Sequence, residues 1–327
     1  MNRPKVFFES KVFCILFLNI ILLSCGADKQ TNKSMQFQDL GITDTFLIKV
    51  KARVLLTTRF IDLNDFKKRV SLSYYNDTIG FVNTKKVVTS VRISYFDNGQ
   101  LIYKCMRSGV DQKKLIETSE AGVFVKANLA FFYPSLIRQR SELKHINILA
   151  RRKMDIFGVN DVAFYDLAQL SLSKINTPDL AYLSSSDSSE KGYINTFNHV
   201  TAQAIITSFF SEEMADLISD LHERKSMPEL TTGIFSKAQL LDSINNPLDN
   251  YVDIVNNEIG QKIGKLLKEK YQISYKTPVT PKILADYLND IQNYYSWALG
   301  IGFNPCTEGD YIVEKFAKKI NWALSKV

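Results

Sequence analysis

Histidine is scarce in this chain, with three in 327 residues, and no His-Glu-x-x-His pair occurs. The helical zinc-protease signature is therefore excluded. Cysteine is also sparse, at four residues; beyond the first 24 positions only Cys25, Cys105 and Cys306 remain. One bridge between Cys105 and Cys306 is conceivable in an oxidising compartment, but two buried free thiols are the preferred reading. No dense block of one charge sign appears. The formal net charge is +7, and residues 1–24 hold three of the cations and one anion. Such a mild, dispersed excess lacks the electrostatic footprint of a nucleic-acid binder, although it suits an anionic lipid surface. The apolar run Val12–Leu23 is too short to span a bilayer comfortably.

What that run does resemble is a secretory leader. Arg3, Lys5 and Lys11 precede it, and it ends at Leu22-Leu23-Ser24-Cys25-Gly26. A small residue before a cysteine, followed by Gly26, is similar to the lipobox of bacterial lipoproteins. The resemblance implies cleavage after residue 24, diacylation of the Cys25 sulfur and acylation of the new amino terminus by chains such as palmitate. Several acyl chains anchor durably, whereas one is marginal. By the same resemblance, Gly26 in place of Asp implies the outer membrane in preference to the inner. Residues 25–39 read as a polar tether.

The organisation beyond the tether predicts an α+β protein. Phe46, Ile48, Val50, Ala52, Val54 and Leu56 alternate with Lys49, Lys51 and Arg53, the two-residue period of a half-buried strand. Val87, Thr89, Val91, Ile93 and Tyr95 repeat it, and Asp97-Asn98-Gly99 before Leu101–Cys105 signals a hairpin. Shorter strands are expected at Val70–Tyr75 and Gly80–Val82. Residues 40–125 thus form a small antiparallel β-rich unit in this reading, suited to packing or binding a partner. Residues 126–327 read as mainly helical, with breaks at Pro134 and around Gly158-Val159-Asn160. His145 reads as a surface or boundary histidine. The Ser184–Glu190 run is an exposed, flexible lead-in to the helix that begins near Asn195. After Gly260 an amphipathic helix continues to Tyr271, and Pro281 suits the first turn of the next. A last helix carries Ile312, Val313, Phe316, Ile320 and Leu324. The aromatic residues between Tyr287 and Tyr295 are expected in the core.

Chemistry is concentrated between Asn195 and Gly260. Three polar signatures sit there on apolar helical patterns: Asn195-x-Phe197-x-His199, Asp220-x-His222-Glu223 and Asp253-x-x-Asn256-Asn257-x-x-Gly260. Residues three and four apart share a helix face, so Asp253, Asn256 and Asn257 project together. Gly260, one turn on, lets another backbone approach. His199 shares a face with Asn195 and Gln203. His222 and Glu223 diverge by about 100° on a helix and do not address one target equally.

Together these signatures resemble a family of uncharacterised bacterial domains. Its pattern runs Asn-x-Phe-Arg-His-Ala-x-Trp-Asn-Ala, then Ala-His-Glu, then Met-Asp-Leu-x-Asn-Asn-x-x-Gly. Asn195, Phe197, His199 and Ala204 match the first part, His222 and Glu223 the second, and Asp253, Asn256, Asn257 and Gly260 the third. The likeness covers about residues 130–270. Asn198, Ala202 and Gln203 depart from it, standing where the pattern has Arg, Trp and Asn. The resemblance implies a domain and no particular reaction.

Three uses of these groups stay open. His199, His222 and Asp253 can be combined as ligands of a zinc-like divalent ion, with Glu223 as base and Asn256 or Asn257 as oxyanion donor. A metal-free histidine–carboxylate pair, drawn from His199, His222, Glu223 and Asp253, can activate water. A buried polar network can instead fix helix packing, with Asn195, Asn256, Asn257 and Gly260 in support. The expectation is a lipid-anchored envelope protein with either a hydrolytic centre for an envelope component or small ester, or a scaffold that binds an envelope partner. It has no nucleic-acid role.

Overall fold

The computed structural model describes residues 60, 62–79, 86–120, 127, 133–242, 247–274 and 276–326. The leader, Cys25, the tether and the expected strands at 46–56 and 80–82 lie outside them. The class is α+β, as the sequence predicts. Three antiparallel strands, β1 (Val70–Ile79), β2 (Lys86–Asp97) and β3 (Gln100–Arg107), form a sheet in that order. The main helices come after the sheet: α1 (Gln112–Glu120), α2 (Arg140–Ala150), α3 (Phe164–Ser173), α4 (Tyr193–Phe209), α5 (Glu212–Glu223), α6 (Pro247–Lys270), α7 (Pro281–Leu299) and α8 (Tyr311–Leu324). Among the described residues, no helix is long and apolar enough to cross a membrane.

The hairpin forms where its turn chemistry demands. Asp97 pairs with Gln100, so Asn98 and Gly99 are the two loop residues, with φ of 47° and 76°. Positive φ at both positions is the primed turn that matches strand twist, and asparagine and glycine tolerate it best. Alternation then sorts the faces. Val91, Ile93, Tyr95, Ile102 and Met106 are buried, whereas Phe96 and Leu101 face outward.

Sheet and helices share one hydrophobic core, inside one compact unit spanning Ile42–Val327. The β-rich segment is thus one layer of a larger body, and α1 lies within its expected range of 40–125. Two polar devices join the layers. Tyr74 on β1 hydrogen-bonds Tyr251 of α6, 2.7 Å between hydroxyls, and Tyr251 donates to Glu229. Lys104 on β3, 7% exposed in its side chain, meets Asp216, Asp220 (3.0 Å) and Glu258 (3.3 Å). Burial works against its charge, but the three carboxylates outweigh that and raise its pKa.

The helical layer centres on α4 crossing α6. Gly260 and Gly264 lie against the backbone of α4. A Cβ on Gly260 would stand 2.6 Å from the Val200 carbonyl oxygen, and one on Gly264 2.5 Å from that of Ala204. On the far side of α4, Tyr193, Phe197 and Tyr295 stack, with centroid separations of 5.5 and 4.2 Å. Tyr287, Tyr294 and Tyr295 are fully buried, as expected of core aromatics. Pro281 opens α7, as expected, and Thr280 caps that helix by accepting from the Ile283 amide.

Some expectations change. Pro134 begins a short helix, Pro134–Arg138, because its fixed φ suits a first turn. His145 is 7% exposed and packs edge-on against Trp322 at 6.2 Å, so it belongs to the interior of the α2–α8 contact. The serine-rich lead-in is folded on itself. Asp187 is buried, accepts from the Ser184 amide at 2.8 Å, and its carbonyl accepts from Tyr193. Cys105 and Cys306 are not joined in a disulfide, as expected; Cys306 is buried and Cys105 only partly so.

Candidate functional site

The crossing fixed by Gly260 brings α4, α5 and α6 together at His199. Its Nδ1 lies 2.9 Å from Asn257 Oδ1 and 3.9 Å from Glu223 Oε1, and its Nε2 lies 3.4 Å from Asp253 Oδ2. Asn195, one turn earlier on α4, donates to Asp253 Oδ1 at 2.9 Å and so steadies that carboxylate. Asn257 donates through Nδ2 to Ser219 Oγ (2.9 Å) and to Glu223 Oε1 (3.1 Å). With both amide hydrogens used, its oxygen is the end presented to His199. Nδ1 of His199 therefore carries a hydrogen, and in the neutral ring Nε2 is the basic nitrogen.

Burial grades across the group. Glu223 is 2% exposed and Asp253 6%, the His199 side chain is 13% exposed, and His222 is open to solvent. The adjacent residues His222 and Glu223 part company, as helical geometry requires. His222 still lies near His199, with ring centroids 6.1 Å apart, and its Nδ1 is 3.4 Å from Gln112 Oε1 on α1.

Electrostatics mark the cluster as short of positive charge. Of the other buried acids, Asp161 pairs with Lys319, Asp166 with Arg152 and Asp290 with Lys270, whereas Glu229 is held by hydrogen bonds from Tyr251 and Gln239. Among the described residues, Glu223 and Asp253 have no lysine or arginine within ion-pair distance, only the His199 ring. Burial, reinforced by the Asp253 charge, pushes Glu223 up to about 8. Burial and then Asp249 raise Asp253 well above the ordinary carboxylate range. His222 keeps an exposed edge, but the protein packed around the rest of its ring, then the charges of His199, Lys225 and Arg151, hold it below the usual imidazole value. Two acids that retain protons beside an imidazole are equipped for proton transfer.

The candidate ligand set differs from the predicted one. His199, His222 and Glu223 each offer one ligand atom within 4.8 Å of the others, a group that could hold a metal ion. Asp253 stands outside that group because it faces the opposite ring nitrogen of His199 from Glu223. Asn256 is fully buried, and among the described residues neither end of its carboxamide has a hydrogen-bond partner. Leaving such a group unmatched costs about 1–3 kcal/mol. Asp220, grouped by sequence with His222 and Glu223, turns away to Arg224 (2.6 Å) and Lys104.

Two residues of the site were not singled out by sequence. Ser219 lies four before Glu223 on α5, so its shared face was legible. Gln112 lies 110 residues from His222 and carried no local signal.

No family model, curated protein or solved structure matches this chain.

Proposed function

We propose that this chain is a lipid-anchored protein of the bacterial cell envelope whose helical layer holds a zinc-like divalent ion for hydrolysis. The lipobox-like stretch ending at Cys25 motivates the anchor and an outer-membrane address. The convergence of His199, His222 and Glu223 carries the metal reading, and among the described residues Glu223 and Asp253 have no lysine or arginine within ion-pair distance. His199, His222 and Glu223 would hold the ion, and three protein ligands leave a position open. Such an ion would supply Lewis-acid activation of water at neutral pH. With the ion on Nδ1, the ring hydrogen of His199 would sit on Nε2, where Asp253, steadied by Asn195, would accept it and so orient the ring, while Asn257 would hold Glu223. The exposure of His222 places the entry on its side. The substrate class proposed is an ester or other hydrolysable envelope component.

The test is elemental analysis of protein purified without chelator and then equilibrated with zinc. About one equivalent in the native chain and none in His222→Ala supports the reading. Absence of stoichiometric metal in the native chain removes it. Cys25→Ala is expected to abolish incorporation of labelled palmitate and release the protein from the membrane fraction. Retained label ends the lipoprotein reading.

A second reading rests on Asn257, whose donors and acceptor are all spent tying α4 to α5 and α6. In that case the cluster is a packing device in an envelope scaffold or binding protein. Bound metal with catalytic turnover would separate the first reading from this one.

A further inference from the structure

Between α2 and α3 the chain runs Arg151-Arg152-Lys153-Met154-Asp155-Ile156-Phe157-Gly158-Val159-Asn160. Met154, Ile156 and Val159 are 60%, 44% and 83% exposed. Tyr311 at the start of α8, itself half exposed, joins them through its hydroxyl, which donates to the Asn160 carbonyl at 3.1 Å. Scattered apolar residues on a surface are ordinary, but a rigid cluster beside cations marks an interaction face.

The loop is rigid because its underside is fastened. Lys319, 1% exposed, donates to the Arg151 carbonyl (2.9 Å), the Val162 carbonyl (2.6 Å) and Asp161 (2.6 Å). The Lys153 amide donates to the same Asp161 carboxylate. Phe157 is the one apolar residue turned inward, its ring edge-on to Trp322 at 5.2 Å and under the Lys319 ammonium. Gly158, at φ +85°, reverses the chain after it. The outward aliphatic side chains are therefore held out by the fold.

We infer that this loop and its cations rest on the surface of an anionic phospholipid bilayer. Three consecutive basic residues precede the aliphatic group, and Lys315 covers the Tyr311 ring at 5.5 Å. Arg152 is engaged by Asp166, and Asp155 and Glu314 are exposed nearby. Arg151 and Lys153 form no ion pair among the described residues. Aliphatic side chains that enter the headgroup boundary, ringed by basic residues, are how a protein lies on an anionic membrane. Three consecutive cations lead into this cluster, whereas the exposed Leu180 comes after Asp179, and Leu240 and Leu241 precede Asp242. The contact does not depend on acylation at Cys25.

Methionine oxidation under brief hydroxyl-radical exposure, read by mass spectrometry on the full-length chain, tests it. The probes are vesicles of phosphatidylcholine with phosphatidylglycerol, and vesicles of phosphatidylcholine alone. Met154 is expected to oxidise several-fold more slowly on the anionic vesicles only, while buried Met214 and Met227 report an intact fold. The same protection is expected in Cys25→Ala, which separates this contact from the anchor. The full chain with Met154→Ser, Ile156→Ser and Val159→Ser together is expected to lose vesicle affinity several-fold at unchanged thermal stability. Oxidation of Met154 at its solution rate on vesicles that carry the protein overturns the inference. So does equal protection on neutral vesicles, and a protein partner for this face would give the first of these results.

Discussion

Gly260 touches Val200 so closely that a single added carbon would sit 2.6 Å from a carbonyl oxygen and 2.8 Å from Gln203 Cβ. That contact sets the distance between the helices bearing His199 and Asn257. Gly260→Ala is therefore expected to destabilise the protein by about 1–3 kcal/mol through overpacking. Gly309→Ala is the control, because nothing lies within 4 Å of the position a Cβ would take. Urea denaturation of both variants checks this, and equal midpoints would show that the crossing is loose.

Removing the Asn257 carboxamide strands three partners at once. Asn257→Ala should cost about 1–3 kcal/mol for the unmatched groups. It should also weaken metal uptake about 10- to 100-fold, the usual loss when a group orienting the ligands is removed. Calorimetric titration with zinc, set beside a denaturation curve, separates the two effects. Lost stability with undiminished uptake would favour the packing role.

Glu223 gives stability a pH dependence of known sign. The folded chain holds its proton up to about 8, whereas an unfolded glutamate releases it near ~4.3. Between those values the native state binds more protons, so stability contributed by this group falls as pH rises, by up to about 1.4 kcal/mol per pH unit. In metal-free protein, Glu223→Gln should match the native chain only below about pH 4 and exceed it increasingly as pH rises toward about 8. Parallel pH profiles of the two midpoints would contradict this.

Lys319 fastens the loop under Met154. Lys319→Met leaves Asp161 buried without its cation and should cost about 3–5 kcal/mol. Adding Asp161→Asn should recover part of that loss. Thermal melts of the single and double variants decide, and a larger loss in the double would mean the pair is not the source.

Much of this was legible in the sequence because helical spacing is a local property. Asn195, His199 and Gln203, or Asp253, Asn256, Asn257 and Gly260, share faces by arithmetic alone. Asn98-Gly99 likewise declared its turn. The ligand set was not legible: choosing between Asp253 and Glu223 depends on which edge of the His199 ring each meets, and the crossing of three helices decides that. Pairings across long separations were equally hidden. Nothing near Lys104 says that its carboxylates lie on α5 and α6, and nothing near Asp220 says that it will turn toward them.

Lys104 has a thermodynamic corollary. One ammonium from the sheet neutralises carboxylates on two helices, so peeling the hairpin away would leave Asp216, Asp220 and Glu258 repelling one another, with Arg224 pairing Asp220 among the described residues. The strands and helices should accordingly melt in one concerted transition, and a chain truncated to begin after β3 should fail to fold.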